Sequence, residues 1–311
     1  MNIVLKTIVG FYKIIKLAIS EFIDDNAVQF GASLSFYTLF AAAPIIIIVI
    51  SLAGVFYGTE AVQGKIYGQI NGLVGHGAAI QIQEIIKNIE THKQGTIGAL
   101  IGIIILLVAA TGVFTEIQYS VNYMWAIKAK PKKGWLKILK NRLLSFSLII
   151  GLGFILLISL VVSALLDLVS EKVFHSMTNS NGFIFQVFNS AILFAVTTSL
   201  FAIIFKVLPD ATIWWRDSFI GACFTSFLFL IGKYLIGFYL ANSTMTANFG
   251  GAASMVIILL WVYYSSNILF FGAEFTKIYA MQYGGGIVPD DTAVFIIKQE
   301  AKEINVASVS L

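Results

Sequence analysis

Two carboxylates and one amine lie inside long apolar runs of this chain. Glu116 and Glu274 are each near the end of such a run, and Lys233 lies within another. Charged side chains are costly in hydrocarbon, so those found there commonly line ion, proton or substrate pathways. In one interpretation, Glu116 and Glu274 bind a cation, a proton or a basic lipid headgroup at the inner rim of a polar cavity. In the other, both acids pair with Lys and Arg of the basic stretch 128–142 or cap neighbouring backbone groups, and they only hold their helices in register.

Lys233 also has two interpretations. It lies about fifteen residues from the inner end of its run, which corresponds to roughly 22 Å along a helix. In the first interpretation, Lys233 extends to the outer headgroups or pairs with Asp167. In the second, it contacts an anion or a phosphate within an outward-facing cavity.

Polar residues follow helical spacing in three of the apolar runs. These series are Asn26, Gln29, Ser33 and Tyr37, ahead of Pro44; Thr111, Thr115, Gln118 and Asn122; and Tyr263, Asn267, Phe270 and Glu274. Residues three or four apart share one face of a helix, and lipid penalises polar groups, so these faces are predicted to turn inward. The predicted polar cavity or substrate pathway comprises Gln29, Ser33, Tyr37, Thr115, Glu116, Gln118, Asn122, Lys233, Asn267 and Glu274.

The composition indicates that lipid surrounds the elements that carry these residues. Hydrophobic residues make up 58% of the chain and charged residues only 12%, whereas roughly a quarter of a soluble domain is charged. Runs long enough to cross about 30 Å of hydrocarbon lie near 28–56, 97–122, 143–166, 184–208, 218–240 and 252–276. A backbone in lipid must satisfy its own hydrogen bonds. We therefore predict an all-α fold, a polytopic membrane helix bundle with six transmembrane helices.

The distribution of Lys and Arg predicts the orientation of the bundle. Most of the 20 basic residues precede the first run, fall within 128–142, flank the fourth connection or follow the last run. Because such residues collect on the cytoplasmic side, both the N- and C-termini are predicted to be cytoplasmic. The first 25 residues mix basic and acidic side chains, and no cleavable signal is evident.

Three regions follow from this map. Residues 1–26 are predicted to be a cytoplasmic amphipathic segment, 27–280 the transmembrane domain with an external helical loop at 57–96, and 281–311 a cytoplasmic tail. The helix predicted over 3–22 either rests on anionic headgroups or packs on the bundle as a short leader. The tail is predicted to begin with a helix stop at YGGG and to continue as a short polar segment.

Residues for enzymatic or metal chemistry are scarce. The three histidines, His76, His92 and His175, are all predicted to be external, and no short spacing to other metal ligands accompanies them. The sequence contains no HExxH motif and no Ser-His-Asp arrangement. Its single cysteine, Cys223, cannot form an intramolecular disulfide. We therefore predict no enzymatic activity, no cofactor and no metal site, and topology accounts for the basic stretch 128–142 without a nucleic-acid partner.

Three stretches of the chain resemble the YihY/BrkB family of bacterial inner-membrane proteins. They are SLSFYTLFAAAPIIIIVIS at 33–51, FKVLPDATIWWRDSFIGA at 205–222 and NFGGAASMVIILLWVYYSSNILFFGAEF at 248–275. The resemblance covers residues 20 to 280, with Phe249-Gly250 where the family has Tyr-Gly. It implies a six-helix plasma-membrane protein whose relatives are suspected of exporting lipid or envelope material. An inherited "ribonuclease BN" label also accompanies the family, but no residue pattern described above supports it.

These observations together lead to two functional expectations. The first is a transporter or flippase-like exporter of a lipid or envelope component, multi-pass in the bacterial plasma (inner) membrane, with membrane lipids as partners. The second is a non-transporting scaffold or regulator that associates with envelope-assembly proteins.

Overall fold

The computed structural model describes residues 2–40, 112–130, 182–241 and 253–298. Within these ranges the chain is mostly helical. Several sequence predictions fall outside the described residues. They are the third predicted span at 143–166, the external loop at 57–96, Pro44, Thr111, Asp167 and the three histidines.

The N-terminal part consists of two helices separated by a tight turn. Helix α1 covers Asn2–Asp24, and helix α2 is described over residues 27–40. Asn26 has a φ of 52°, a left-handed conformation that Asn adopts more readily than most residues. The backbone N–H of Asn26 bonds to the Ile23 carbonyl, and that of Gln29 bonds to the Asn26 carbonyl. The turn therefore ends α1 and starts α2 in a new direction.

Within the described ranges, three helices are long and apolar enough to cross a membrane. They are α4 at Gly182–Val207, α5 at Trp215–Ala241 and α6 at Ala253–Tyr283. Their apolar segments run over Ser190–Val207, Trp215–Tyr239 and Val256–Tyr283. Helix α3 is described over 112–124, where it forms the last part of the second predicted span.

Helices α5 and α6 interlock through small residues. A β-carbon on Gly221 would overlap the Thr276 side chain, and one on Gly272 would overlap Thr225. Each threonine hydroxyl donates to its own helix, Thr225 to the Gly221 carbonyl and Thr276 to the Gly272 carbonyl. The small residues let the backbones approach closely, and the hydroxyls are satisfied without water. This is the packing expected of membrane helices.

Helices α2, α3 and α6 meet around one aromatic side chain. The Phe30 ring of α2 lies 5.3 Å from that of Tyr123 on α3 and 6.4 Å from that of Phe270 on α6, measured between centroids. One residue further, Gly31 faces the amide of Asn267. The three helices that carry the predicted polar series are therefore neighbours.

Helix α1 packs lengthwise against the end of α6. Ile14 and Ala18 are buried with Phe275 and Ile278, and Gly10 faces the Tyr283 hydroxyl further along. The opposite side of α1 leaves large apolar residues uncovered by protein, including Tyr12 and Ile23, which are 67% and 65% exposed. The helix therefore contacts the bundle and also presents an apolar flank to its surroundings.

Four short strands at one end of the bundle were not predicted. Strand β1 (Ile127–Ala129) pairs antiparallel with β4 (Ala293–Phe295), and β2 (Ala211–Ile213) pairs antiparallel with β3 (Ile287–Pro289). The purely all-α prediction was therefore wrong at this end, and residues 287–295 are not simply a polar tail. Each strand has only three residues, which is too short for an alternating pattern to stand out in the sequence.

Candidate functional site

A buried ion pair lies near the end of α6. Glu274 is 0% exposed, and its Oε2 atom is 2.6 Å from Nζ of Lys277, one turn further along the same helix. Lys277 also donates to Oε2 of Glu21 on α1, at 2.7 Å. Glu21 of α1 and Glu274 of α6 thus share the positive charge of Lys277, and α6 is long enough to span a membrane.

A second ion pair lies beside the first. Asp25, in the turn after α1, is 5% exposed and pairs with Lys298 of the C-terminal segment. The Lys298 ammonium also lies 4.8 Å from the centroid of the Tyr123 ring on α3, within the range of a cation–π interaction. Lys298 therefore joins the C-terminal segment to both α1 and α3.

The carbonyl of Met124 completes this arrangement. It accepts a hydrogen bond from Lys277 at 2.6 Å and a longer one from Lys298 at 3.4 Å. Met124 lies in the last turn of α3, where carbonyl groups have no partner within the helix and carry partial negative charge. Both lysines are therefore held by a helix C-terminus as well as by carboxylates.

We call Glu21, Asp25, Glu274, Lys277 and Lys298 the charge cluster. One carboxylate oxygen of each acid lies within 4.8 Å of the others. Three carboxylates thus share two ammonium groups, and Oε1 of Glu274 has no hydrogen-bond partner among the described residues. The spacing of the oxygens would suit a metal ion, but Lys277 and Lys298 already occupy the carboxylates.

Neighbouring hydrogen bonds fix the elements that build the cluster. The Trp125 indole N–H donates to the Ala273 carbonyl at 3.0 Å, which ties the end of α3 to the turn of α6 that holds Glu274. Asn122 and Asp210 form a reciprocal pair, with two bonds of 2.8 Å between α3 and the turn before β2. Asp217, at the start of α5, accepts from the Gly285 N–H at 2.8 Å. The Ala273 carbonyl, next to Glu274 in the sequence, is therefore held by the Trp125 indole.

The predicted pathway residues differ in their surroundings. Glu274 and Asn122 are buried, Ser33, Glu116, Gln118, Lys233 and Asn267 are half-buried, and Gln29, Tyr37 and Thr115 are exposed on α2 and α3. Asn267 donates to the Tyr263 carbonyl of its own helix at 2.7 Å, and its buried Oδ1 has no partner among the described residues. The structure therefore brings Asn267 and Glu274 towards the protein interior, and it leaves part of the α2 and α3 series on the protein surface.

The two acids of the predicted pathway have different partners. Glu274 pairs with Lys277, whereas Glu116 forms no ion pair within the described ranges. Of the basic stretch 128–142, only Lys128 and Lys130 are described; both are exposed, and neither contacts Glu274. Among the described residues the ion-pair partner of Glu274 is Lys277, three residues further along α6. Residues 131–142 lie outside the described ranges, so the pairing of Glu274 with that part of the basic stretch stays a prediction.

Lys233 is half-buried on α5, and its ammonium lies 5.8 Å from the centroid of the adjacent Tyr234 ring. It is not part of the charge cluster. The proposed pairing with Asp167 involves a residue outside the described ranges.

Four members of the charge cluster were not among the predicted site residues. Glu21 and Asp25 are four apart at the end of α1, and Glu274 and Lys277 are three apart on α6, spacings that put both members of a pair on one helix face. These spacings could have indicated from the sequence that the two side chains of each pair lie close together. No local pattern marks Lys298, because its position depends on the pairing of β4 with β1.

Residues 18–293 match the family described as virulence factor BrkB. The chain belongs to the BrkB family. The match starts within α1 and ends at the first residue of β4, so it includes four of the five members of the charge cluster and the whole of β1, β2 and β3. Lys298 lies just beyond it. Together with its apolar helices, membership identifies this BrkB-family chain as an integral membrane protein.

Curated relatives carry the name UPF0761 membrane protein. One from Alcanivorax borkumensis is 25% identical over 84% of this chain and 59% of its own length. Relatives from Psychrobacter sp. and Azotobacter vinelandii are 26% and 28% identical, over 85% and 82% of this chain. The BrkB-family chain thus spans about half to three fifths of the relatives it matches, 48% and 60% in these two. No solved structure matches it.

Proposed function

We propose that this protein is a transporter or flippase-like exporter of a lipid or an amphipathic envelope component. In this proposal it crosses the bacterial plasma membrane six times, with both termini in the cytoplasm, and membrane lipids are its partners. It performs no enzymatic chemistry and needs no cofactor. The predicted pathway residues on α2, α3 and α6 line the route of the substrate.

The observation that carries the proposal is the buried position of Glu274. It lies within Val256–Tyr283, an apolar segment long enough to span a membrane, and it is 0% exposed. Charged groups at such positions are costly, and in membrane proteins they usually serve ion, proton or substrate movement. A purely structural contact between α1 and α6 could be made by apolar side chains at lower cost.

The polar surfaces of α2 and α3 add support. Gln29 and Thr115 are exposed on adjacent helices. The Tyr37 ring packs against Gly112 of α3, where a β-carbon would lie 3.3 Å from the ring. Exposed polar groups on membrane helices are tolerated where they border water or a polar ligand. These positions suit a polar groove that opens beside α2 and α3.

Exposed aromatic residues support the placement of the membrane boundary. Trp214 and Trp215 lie at the start of α5 and Tyr283 at the end of α6, and all three are exposed. Trp and Tyr concentrate at the level of the headgroups. Arg216 is next to them in sequence, which favours the cytoplasmic side for this end of the bundle.

A scaffold is the second candidate, and one observation favours it. The two small sheets tie the segment after α3 and the segment before α5 to the residues after α6. An arrangement of this kind could serve as a rigid platform for envelope-assembly proteins. Such a role needs no movement of a substrate through the bundle.

Reconstitution separates the two candidates. Purified protein in liposomes that contain headgroup-labelled lipids is tested for translocation, with and without a proton gradient. We expect wild-type protein to move lipid faster than protein-free vesicles, and Glu274→Gln to slow it about tenfold or more, a barrier increase of roughly 1.4 kcal/mol. Asp24→Asn, which changes an exposed carboxylate at the end of α1 outside the predicted pathway, is the matched control and is expected to retain most activity. Translocation equal to protein-free vesicles for every envelope lipid tested would favour the scaffold.

A further inference from the structure

We propose that the charge cluster is a proton-binding site in which Asp25 and Glu274 share one exchangeable proton. The inference rests on the proposed function, because it assigns the coupling ion of the transporter. It also concerns a physical property of the cluster that can be measured without any transport assay.

Charge balance is the first argument. Glu21, Asp25 and Glu274 oppose Lys277 and Lys298, so the fully ionised cluster carries one negative charge in excess. An excess charge removed from water is costly, and a group in that position commonly takes up a proton instead. Of the three acids, Glu21 is the least suited to hold the proton, because its side chain is 45% exposed and water can stabilise its charge.

Hydrogen bonding is the second argument. Oε2 of Glu274 has Lys277 beside it, but Oε1 lies buried without a donor among the described residues. A buried carboxylate oxygen without a donor is unfavourable. A proton between the Glu274 and Asp25 carboxyls provides that donor, and the two acids have oxygens within 4.8 Å of each other.

The groups that face the two acids come from each neighbouring element. Helix α1 supplies Glu21, helix α6 supplies Lys277, and the C-terminal segment supplies Lys298. Helix α3 supplies the Met124 carbonyl and the ring of Tyr123, whose contact with Lys298 is through its face. The described part of α3 contributes no charged group to the cluster.

The proton has a short route to water. It passes from water to the partly exposed Glu21 region and then to an oxygen of Asp25 or Glu274, without making or breaking any other covalent bond. When it leaves, the excess charge returns and attracts Lys277 and Lys298 more strongly. Because Lys298 belongs to the C-terminal segment, proton binding also changes how tightly that segment is held against α1 and α3.

Infrared spectroscopy of the purified full-length protein in lipid nanodiscs tests the site. A protonated carboxyl gives a carbonyl-stretch band distinct from that of a carboxylate. We expect wild-type protein to show such a band at neutral pH that disappears on raising the pH. Glu274→Gln and Asp25→Asn are each expected to abolish it, and Glu116→Gln is expected to leave it unchanged.

Glu21→Gln provides a second variant that keeps both proton-sharing acids. It removes the excess negative charge, so the band is expected to disappear at lower pH than in wild type. Size-exclusion behaviour and circular dichroism in the same nanodiscs verify that each variant is folded.

The outcomes separate this inference from the proposed function. The absence of a pH-dependent protonated-carboxyl band in wild type overturns the proton site, whether or not lipid moves in the liposome assay. A band that survives in both Glu274→Gln and Asp25→Asn overturns it as well. A carboxylate shift on adding Na⁺ or Ca²⁺ at constant pH, without that band, assigns the cluster to a metal cation instead. A band with the expected behaviour in a protein that moves no lipid supports the site and contradicts the transporter.

Discussion

Thr276 of α6 lies directly over Gly221 of α5, so closely that a β-carbon at position 221 would overlap its side chain. The relationship is repeated one turn away with the roles of the helices exchanged, since Thr225 of α5 lies over Gly272 of α6. The Thr225 hydroxyl donates to the Gly221 carbonyl within α5, and the Thr276 hydroxyl donates to the Gly272 carbonyl within α6. The two contacts fix both the separation and the register of α5 and α6 next to Glu274.

Adding a methyl group at this contact is therefore expected to destabilise the bundle. Gly221→Ala and Gly272→Ala should each lower stability by about 1–3 kcal/mol, because overpacking outweighs the better helix propensity of alanine. Thermal unfolding in detergent measures the change. Gly237→Ala on α5 is the matched control, since a β-carbon there meets nothing within 4 Å. Equal melting temperatures for all three variants would contradict the close contact.

Removing Lys298 is expected to loosen the C-terminal segment. Lys298→Ala leaves Asp25 without its partner and removes the contact with the Tyr123 ring. Since Lys298 is partly exposed, we expect a loss of about 1–3 kcal/mol, below the range for a fully buried pair. Hydrogen exchange should become faster at Lys130 and Ile296, whose N–H groups bond to Thr292 and Ala126.

Two controls accompany this measurement. Lys128→Ala removes an exposed lysine of β1 and should leave the exchange rates unchanged. Exchanging the charges in Asp25→Lys with Lys298→Asp should restore part of the protection lost in either single variant. Protection that is unaffected by Lys298→Ala would show that the strands hold the segment without the ion pair.

The reciprocal pair of Asn122 and Asp210 can be measured by a double-mutant cycle. Asn122→Ala and Asp210→Ala should show a coupling free energy of about 1–2 kcal/mol, because both variants remove the hydrogen bond from the Asn122 amide to the Asp210 carboxylate, whereas only Asn122→Ala removes the bond from the Asp210 backbone N–H. Chemical unfolding of the four proteins gives the coupling. Gln118→Ala, one turn earlier on α3, paired with Asp210→Ala should show none. Additive effects for Asn122 and Asp210 would contradict the pair.

The contact of α1 with the C-terminal segment predicts that both ends of the described chain lie on one side of the membrane. Single cysteines at Tyr12→Cys and Ile297→Cys, in a Cys223→Ser background, occupy exposed positions. An impermeant thiol reagent should label both only after intact cells are permeabilised, in agreement with the distribution of Lys and Arg. Labelling of the two positions from opposite sides would contradict the ion pair between Asp25 and Lys298.

The sequence was informative where a single physical effect dominated. Long apolar runs predicted the helices now seen as α4, α5 and α6, because hydrocarbon leaves the backbone few alternatives. The same reasoning identified Glu274 as exceptional, since lipid makes any charge costly. Family membership was also recognisable from short stretches, one of which ends at Glu274 and Phe275.

The rest of the candidate site depends on contacts between distant parts of the chain. Glu21 meets Lys277 across 256 positions and Asp25 meets Lys298 across 273. Neither separation leaves a local pattern, and the strands that align Lys298 have only three residues each. Polar spacing on α2 and α3 predicted a shared helix face, but periodicity alone does not say which neighbour covers that face.

The pairing of Asp25 with Lys298 also has a consequence for biosynthesis. The ribosome delivers Asp25 to the membrane early, and a further 273 residues must be translated before Lys298, its counter-ion, exists. Until then the turn after α1 carries a carboxylate that lacks this partner. Truncation before residue 298 should therefore leave a protein that is inserted but lacks the contacts of Lys298 with Asp25 and Tyr123, and we expect quality-control proteases to degrade it faster than the longer chain.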